Sequence, residues 1–304
     1  MAIKQKITNF LNKLPYIKGL FNHVSLFNKN SCYPAGHFYS PIISVDEIKR
    51  RQSEIWVKSD IEDIAGIDLQ TAEQLDLLGH LSDYYNDMPF KAEKQPNLRY
   101  WFDNIYYSYT DAIFLYSMIR HFKPKRIIEI GSGFSSAVML DTNELFFNSD
   151  IDMTFIEPYP QRLYSLLPDT DKKSTTIIEK DAQSVSINTF EKLEAGDILF
   201  VDSTHVSKTG SDVNYILFEI LPVLKSGVLI HFHDIFYPFE YPKEWVFQGR
   251  NWNEDYIVKA FLMYNDKFKI RLFSEYLHKF HSDAFGKMPL AYKNFGGDLW
   301  IEKQ

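Results

Sequence analysis

Cysteine is almost absent from this sequence, and Cys32 is its single instance. One cysteine excludes an intramolecular disulfide, and it also excludes a zinc site built from cysteines. Proteins with so little cysteine fit a reducing compartment, so we expect a cytoplasmic protein.

Long apolar runs are also missing. The longest stretch without a charged side chain, residues 30–45, is interrupted by Pro34, Gly36 and Pro41. It is shorter than the roughly 18 apolar residues that a membrane-spanning helix needs. The N-terminus lacks the apolar core and the small-residue cleavage site of a signal peptide. We therefore expect neither a membrane span nor a secretion signal.

Acidic side chains are missing from residues 1–30, which carry five lysines, whereas the rest of the chain has 28 basic and 40 acidic side chains. A body this acidic is a poor match for a phosphate backbone, so we expect no nucleic-acid partner. Apolar residues recur at helical spacing within 1–30, and two interpretations follow. We favour a helix that packs its apolar face on the body; the alternative is a basic helix on an anionic membrane surface.

Aromatic residues, by contrast, are abundant at 16% of the 304 residues. They concentrate in residues 98–116 and in an insertion at 236–255. The insertion is expected to form a lid over an acceptor pocket, or else a contact between subunits of a homo-oligomer. Composition leaves both interpretations open.

Short apolar runs alternate with helical segments from residue 125 onward, and the runs show no polar alternation. This pattern is typical of parallel strands that are buried on both faces. The predicted strands are Arg126–Ile130, Asp152–Ile156, Thr175–Lys180, Ile198–Val201, Gly227–Phe232, 269–273 and Asp298–Ile301. We predict a doubly wound α/β domain over 105–304, with a mostly parallel seven-stranded sheet. Residues 1–104 are expected to form a helical or irregular extension that caps the domain or supports oligomerisation.

Acidic residues stand at the ends of five consecutive predicted strands, where ligands bind in open α/β sheets. The first strand leads into a turn with Gly131 and Gly133, but Glu129 precedes it and Ser136 replaces the third glycine of a dinucleotide motif. This turn favours a cationic ligand over a pyrophosphate. Glu157 ends the second strand, where a carboxylate suits ribose hydroxyls, and Asp181 ends the third, where it suits an adenine amino group.

The remaining strand ends carry Asp202 with His205, and then His231, His233 and Asp234. Together the acids predict a rim suited to a cationic nucleoside or a metal ion. The simplest interpretation of the two histidines on the fifth strand is that only one of them faces the site.

In this order, Glu129-x-Gly131-x-Gly133, Glu157, Asp181-Ala182 and Asp202 resemble the class I S-adenosylmethionine-dependent methyltransferases. The resemblance covers roughly 105–303. Asp202-x-x-His205 and His233-Asp234 resemble the branch that includes macrolide-sugar and rhamnosyl O-methyltransferases. The resemblance implies a Rossmann-like fold and methyl transfer from S-adenosylmethionine to a hydroxyl of a small acceptor, such as a sugar or another natural product.

The resemblance also implies a set of cofactor-binding residues. Glu129 and the turn after it would face the methionine part, Glu157 the ribose and Asp181 the adenine. The full implied set is Glu129, Gly131, Ser132, Gly133, Ser135, Glu157, Pro158, Asp181, Ala182 and Asp202.

An alcohol acceptor needs a base or a metal, and the sequence offers candidates for both. His205 is the candidate base because an imidazole with an ordinary pKa of about 6.5 is competent near neutrality; the alternative is a surface loop histidine. By resemblance, Asp202 and Asp234 would hold Mg²⁺. Ser203 replaces the usual glycine and no third ligand is apparent, so the sequence leaves the need for a metal open.

Two further functions stay open at this stage. One is an NAD(P)-dependent oxidoreductase on a Rossmann-like fold, against which Glu129 and the missing third glycine argue. The other is a non-catalytic scaffold held at a membrane by residues 1–30. The sequence does not reveal the identity of the acceptor.

Overall fold

The computed structural model describes residues 6, 10, 11 and 14–304. The strands are β1 Arg126–Ile130, β2 Asp152–Ile156, β3 Thr176–Ile178, β4 Ile198–Val201, β5 Leu229–Phe232, β6 Phe268–Phe273 and β7 Leu299–Lys303. The helices before β1 are α1 Pro15–Asn30, α2 Val45–Arg50, α3 Gln52–Ile55, α4 Thr71–Leu81 and α5 Tyr109–Phe122. Those between β1 and β5 are α6 Phe134–Phe147, α7 Gln161–Leu166, α8 Asp171–Ser174, α9 Ile187–Phe190, α10 Asp212–Tyr215 and α11 Leu221–Val223. The last are α12 Lys243–Phe247, α13 Glu254–Leu262 and α14 Ser274–Phe280.

Shorter helical turns complete the chain. A π-helical turn, Ile216–Ile220, joins α10 to α11. The 3₁₀ helices are Trp56–Asp60, Ser82–Asp87, Ala182–Ser184, Ser282–Lys287 and Pro289–Tyr292.

The seven strands form one sheet in the order β3-β2-β1-β4-β5-β7-β6. Strands β1 to β5 pair in parallel, whereas β7 is antiparallel to both β5 and β6. The strand order reverses between β1 and β4, which is where open α/β sheets bind their ligands. The predicted doubly wound, mostly parallel seven-stranded sheet is confirmed.

The centre of the sheet is buried on both faces, as its unbroken apolar runs indicate. Every residue of β4 and β5 is buried. Two polar residues among these apolar runs are completely buried, namely Glu129 on β1 and His231 on β5. Because burying a polar group costs free energy unless it is paired, these two positions call for a local explanation.

Some predicted element bounds shift in the structure. The third strand is shorter than predicted, and the helical stretch before β5 is interrupted by the π turn. Thr110 is of a residue type that favours helix N-caps, but it lies inside α5, whose N-cap is Ser108. The Thr110 hydroxyl instead donates to the Ala291 carbonyl at 2.9 Å. The Thr110 side chain thus bonds to a residue that is distant in sequence and does not cap the helix.

By compactness the chain divides into two units with bounds other than the predicted 1–104 and 105–304. One holds the residues before Trp56 together with 243–251, and the other holds the rest. Residues 56–104 therefore belong with the sheet. In that unit the Gln74 side chain accepts a hydrogen bond from the Phe273 amide at 2.7 Å. Arg99 also pairs with the buried carboxylate of Asp141 at 2.6 Å.

In the smaller unit, the Ile43 amide donates to the Asn251 side chain at 3.0 Å, and Lys49 lies over the Phe247 ring. Most apolar side chains of α1 are exposed, at 45% for Leu20, 54% for Phe21 and 58% for Val24. The expected packing of the apolar face of residues 1–30 on the body stays a prediction. Predicted face positions such as Ile3 and Ile7 lie outside the described residues. No helix of the described residues is long and apolar enough to cross a membrane.

The turn after β1 yields a test of the fold. Gly131 has a φ of +83°, and a Cβ on it would lie 1.7 Å from the Asp202 carbonyl oxygen. We expect Gly131→Ala to lower the free energy of unfolding by about 3 kcal/mol or more, because both the clash and the backbone strain must be relieved. Urea unfolding followed by circular dichroism measures the change.

Gly133→Ala is the matched control. Gly133 is extended, with a φ of 178°, and an added Cβ would meet only the flexible Arg162 side chain, at 3.2 Å. This change should alter stability by no more than about 1 kcal/mol. Equal losses in the two variants would show that β1 and β4 do not approach as closely as described.

Candidate active site

A cavity of about 340 Å³ opens at the carboxyl ends of β1 to β4. Its size lies within the range of about 300–1,000 Å³ that small-molecule sites occupy. Six of the predicted cofactor residues line it: Gly131, Glu157, Pro158, Asp181, Ala182 and Asp202. Ser132, Gly133, Ser135 and Glu129 are not among the lining residues.

The floor of the cavity is set by backbone contacts between neighbouring strand ends. The Gly131 amide donates to the Ile156 carbonyl at 2.9 Å, and the Asp202 amide donates to the Ile130 carbonyl at 2.8 Å. These bonds extend the parallel pairing one residue beyond the strands. As a result, the backbone of the turn and the first residue after β4 meet at one point.

Glu157 is half-buried at the end of β2 and already has two partners. Its carboxylate accepts hydrogen bonds from the Ser132 amide at 3.2 Å and from the Tyr159 amide at 2.8 Å. A carboxylate has about four acceptor positions, so it retains capacity for two hydroxyl groups. Glu157 is therefore oriented by the turn while it still faces the cavity.

Asp181 precedes the 3₁₀ helix at Ala182–Ser184 and is exposed at the edge of the cavity. Ala182 beneath it is buried. Gln183 in the same turn donates to the Gly210 carbonyl at 3.2 Å, which ties the β3 end to the loop after β4. The two strand ends thus close opposite sides of the cavity.

Glu129 is not brought to the cavity. Its side chain is completely buried beneath the turn, and its carboxylate accepts hydrogen bonds from the Ser135 hydroxyl at 2.5 Å and from the Ser136 hydroxyl. Burial raises the pKa of Glu129 to about 8, against the opposing effect of the two serine hydrogen bonds. Glu129 and Ser135 thus hold the start of α6 in place from within, and the expectation that Glu129 faces the cofactor is not supported.

His205 lies in the loop after β4, and three carboxylates from different segments surround it. Its Nδ1 lies 2.8 Å from Oε2 of Glu254. Its Nε2 lies 3.4 Å from Oδ1 of Asp202 and 3.7 Å from Oδ2 of Asp234. The side chain is buried, so the alternative of a surface loop histidine is wrong.

The carboxylates set the charge of this imidazole. Burial alone would lower the pKa of His205, but the hydrogen bonds and charges of Asp202 and Glu254 outweigh it and raise the pKa well above the ordinary value. For Asp202 the effects have the opposite sign. Burial alone would raise the pKa of its carboxyl, whereas His233 and His205 hold it below its ordinary value. The imidazolium is therefore favoured when the site is empty of other cations.

The backbone at this cluster is unusual. His205 and Asp234 have φ values of 59° and 58°, in the left-handed region that side chains other than glycine rarely adopt. The His205 carbonyl accepts the amides of Asn253 and Glu254, at 3.0 and 3.2 Å. The Ile235 amide donates to the Gly297 carbonyl at 3.1 Å. These contacts hold two strained residues in place on opposite sides of the site.

The predicted Mg²⁺ ligands Asp202 and Asp234 both lie next to the His205 ring. The His205 ring lies within 4 Å of both carboxylates, and Mg²⁺ requires an octahedral set of oxygen ligands. Among the described residues, the potential metal ligands whose donor atoms lie within 4.8 Å of one another are His231, His233 and Asp298. The predicted Mg²⁺ pair is not part of that group.

Sequence reasoning missed Glu254 and Trp252 as site residues. Glu254 is buried at the start of α13 and accepts a second contact, from the Ser203 hydroxyl, at 3.4 Å. The Trp252 ring lies against the His205 ring, with centroids 4.4 Å apart. In the sequence, an acid at the start of a predicted helix indicates only a favourable helix terminus, so nothing local marked Glu254 as a partner of His205.

His231 and His233 lie on the same face of β5, and their ring centroids are 6.0 Å apart. Alternation across the strand therefore does not separate them, because residues two apart on a strand share a face. Only His233 is near Asp234, with its Nε2 3.6 Å from Oδ1 of that residue.

Comparison with known proteins finds a domain match and one similar sequence. Residues 128–235 match a family model described as a methyltransferase domain. An uncharacterized protein of Archaeoglobus fulgidus is 37% identical over 165 residues, which cover 53% of this chain and 74% of that protein.

Similar solved structures include two methyltransferases with low sequence identity. The methyltransferase PaMTH1 of Podospora anserina, bound to SAH, is 17% identical with a TM-score of 0.42, and the match covers 90% of this chain and 99% of that chain. The O-methyltransferase TomG of Streptomyces achromogenes, in complex with SAM, is 13% identical with a TM-score of 0.39, covering 85% and 99%. On these comparisons, the chain carries a methyltransferase domain at residues 128–235 and is related to the archaeal protein.

Proposed function

We propose that this protein transfers the methyl group of S-adenosylmethionine to a hydroxyl of a small acceptor, with His205 as the base that takes the hydroxyl proton. The observation that carries the proposal is the His205–Glu254 pair beside Asp202, a residue that also lines the cavity. A base and a cofactor cavity that share a wall bring the two reactants into contact.

The cavity residues fit the cofactor. Glu157 has acceptor capacity for both ribose hydroxyls, and the exposed Asp181 carboxylate is available for the adenine amino group. A Cβ on Gly131 would fill the space where the turn meets Asp202. When bound, the cofactor supplies an electrophilic methyl group on a positively charged sulfur, and the carboxylate of Asp202 suits that charge.

Glu254 prepares His205 for proton transfer. A carboxylate at Nδ1 fixes the tautomer in which Nδ1 carries hydrogen and Nε2 is the accepting atom. When Nε2 takes the acceptor's proton, Glu254 stabilises the resulting imidazolium. Because the surrounding carboxylates favour the charged ring, a second cation in the cavity makes it easier for His205 to be neutral and to act as a base.

Sugars and related natural products are the acceptor class that we propose. Trp252 packs on His205, and Tyr241 lies edge-on to Trp252 with centroids 6.1 Å apart, so an aromatic wall borders the base. Both residues belong to the larger unit, on either side in sequence of the segment 243–251, which belongs to the smaller unit. A role of 236–255 as a lid, Mg²⁺ binding by Asp202 and Asp234, a homo-oligomer and a cytoplasmic location stay predictions.

The alternative functions have less support. In the turn after β1, Ser136 stands where a dinucleotide site has its third glycine, and its hydroxyl is bonded to Glu129. The turn is thus built around a buried acid, and the family match is to methyltransferases. Membrane association through residues 1–30 rests on the exposed apolar side chains of α1 and on the five lysines, and it is compatible with catalysis.

Cofactor binding tests the first half of the proposal. We expect S-adenosylmethionine and S-adenosylhomocysteine to bind the protein in isothermal titration calorimetry, and NAD not to bind. Asp181→Asn and Glu157→Gln should each weaken binding by about 10- to 100-fold, because each removes a charged hydrogen-bond acceptor. Glu179→Gln is the matched control, since Glu179 accepts from Tyr164 and does not line the cavity. Equal binding in all variants would contradict the assigned site.

The charge of His205 tests the second half. We expect a nuclear magnetic resonance titration to give His205 a pKa above 6.5, and Glu254→Gln to lower that pKa because a stabilising carboxylate is lost. Methyl transfer to a panel of hydroxylated sugars and aromatic compounds should rise with pH until His205 is neutral, and Glu254→Gln should move this rise to lower pH.

His205→Gln should reduce transfer by about 100-fold or more while S-adenosylmethionine still binds. His278→Gln is the control, because His278 is a buried histidine bonded to the Ala291 carbonyl. Full activity of His205→Gln on an accepted substrate would remove His205 from the mechanism.

A further inference from the structure

A group of buried side chains lies next to the active site and takes no part in the proposed mechanism. His231 is in β5, His233 directly follows that strand, and Asp298 directly precedes β7. The exposed fractions of His231, His233 and Asp298 are 0%, 6% and 0%. Both nitrogens of His231, Nδ1 of His233 and both carboxylate oxygens of Asp298 make no hydrogen bond with the described part of the chain.

Five buried polar atoms without a hydrogen bond in one place require a common explanation. Buried polar side-chain atoms in folded proteins almost always have a partner, and exceptions mark missing ions or waters, catalytic groups or strain. Here the donor atoms converge, since one from each residue lies within 4.8 Å of the others. His231 Nε2 lies 3.5 Å from Asp298 Oδ1.

The group also has a second buried carboxylate beside it. Asp111 faces Asp298, so that two buried carboxylates are neighbours. Asp111 is held there by the Gly297 amide, which donates to its Oδ1 at 3.0 Å. Buried charges are normally paired or bound to a metal. A divalent cation would balance the two carboxylates and would also be a partner for the free imidazole nitrogens.

The mixture of ligands indicates which cation fits. Two imidazoles and one carboxylate suit Zn²⁺, Fe²⁺ or Mn²⁺, whereas Mg²⁺ and Ca²⁺ prefer oxygen ligands. We propose that His231, His233 and Asp298 bind a divalent first-row transition metal ion. Its ligands are other residues than the Asp202 and Asp234 pair, although His233 Nε2 lies 3.6 Å from Asp234 Oδ1, and the site does not depend on the proposed acceptor.

The surroundings of the ligands support a fixed site. The His231 ring is stacked on Phe200, with centroids 4.1 Å apart, and lies 4.6 Å from Trp300 on β7. His233 lies 5.1 Å from the Tyr107 ring. The ion would join the end of β5 to the start of β7. Its ligand His233 comes one residue before Asp234, whose backbone is left-handed. Its role would therefore be to position the edge of the active site.

Metal binding is tested directly on the full-length protein without a histidine tag. Elemental analysis of the purified protein should find about one equivalent of a transition metal. After removal of the metal with dipicolinate, Co²⁺ should bind with visible absorption bands that Zn²⁺ displaces. His231→Gln and Asp298→Asn should each weaken Co²⁺ binding by about 100-fold or more, since the loss of even an outer-sphere partner costs 10- to 100-fold.

Two control variants separate this site from others. His278→Gln removes a buried histidine elsewhere, and Asp202→Asn changes the other acidic pair; both should bind Co²⁺ as the unchanged protein does. The proposal fails if the unchanged protein binds neither Co²⁺ nor Zn²⁺ at micromolar concentrations. It also fails if Asp202→Asn abolishes binding, or if binding survives in both His231→Gln and Asp298→Asn. Should a ligand variant not fold, the unchanged protein and Asp202→Asn still decide the outcome.

Discussion

The close approach of β1 and β4 at Gly131 and Asp202 is the constraint on which the rest of the site depends. Because the Gly131 backbone nearly touches the Asp202 carbonyl, the turn after β1 and the loop after β4 share one position. That contact fixes the cavity floor and aims the Asp202 side chain at His205. It also lets Ser132 reach Glu157 on β2, so that three strand ends form one surface.

Much of the fold could be predicted from the sequence because parallel strands leave an unbroken apolar signal. The bounds of β1, β2 and β4 follow directly from their buried runs. The positions of Glu157, Asp181 and Asp202 could also be predicted, since each stands at a strand end. Glu254 could not, because its partner His205 lies 49 residues away along the chain and no local pattern records such a contact.

The acids at the strand ends turned out to have different physical roles, although they look alike in the sequence. Asp181 is exposed, Glu157 is held by two amides, and Glu129 is sealed beneath the turn with its pKa raised to about 8. Burial decides the difference, and burial depends on side chains from other elements. Ser135 and Ser136 lie in the first turn of α6 and bind the Glu129 carboxylate from β1. Glu129 therefore stabilises the turn and does not face the cavity.

The left-handed backbones of His205 and Asp234 have a consequence for how the protein can change. Each costs free energy that neighbouring contacts must offset, and both sit beside the proposed base. Selection for greater stability would tend to relax these two positions and would thereby loosen the geometry around the imidazole. The site thus lies at a trade-off between robustness and activity, and variants of the protein are expected to gain stability elsewhere in the fold.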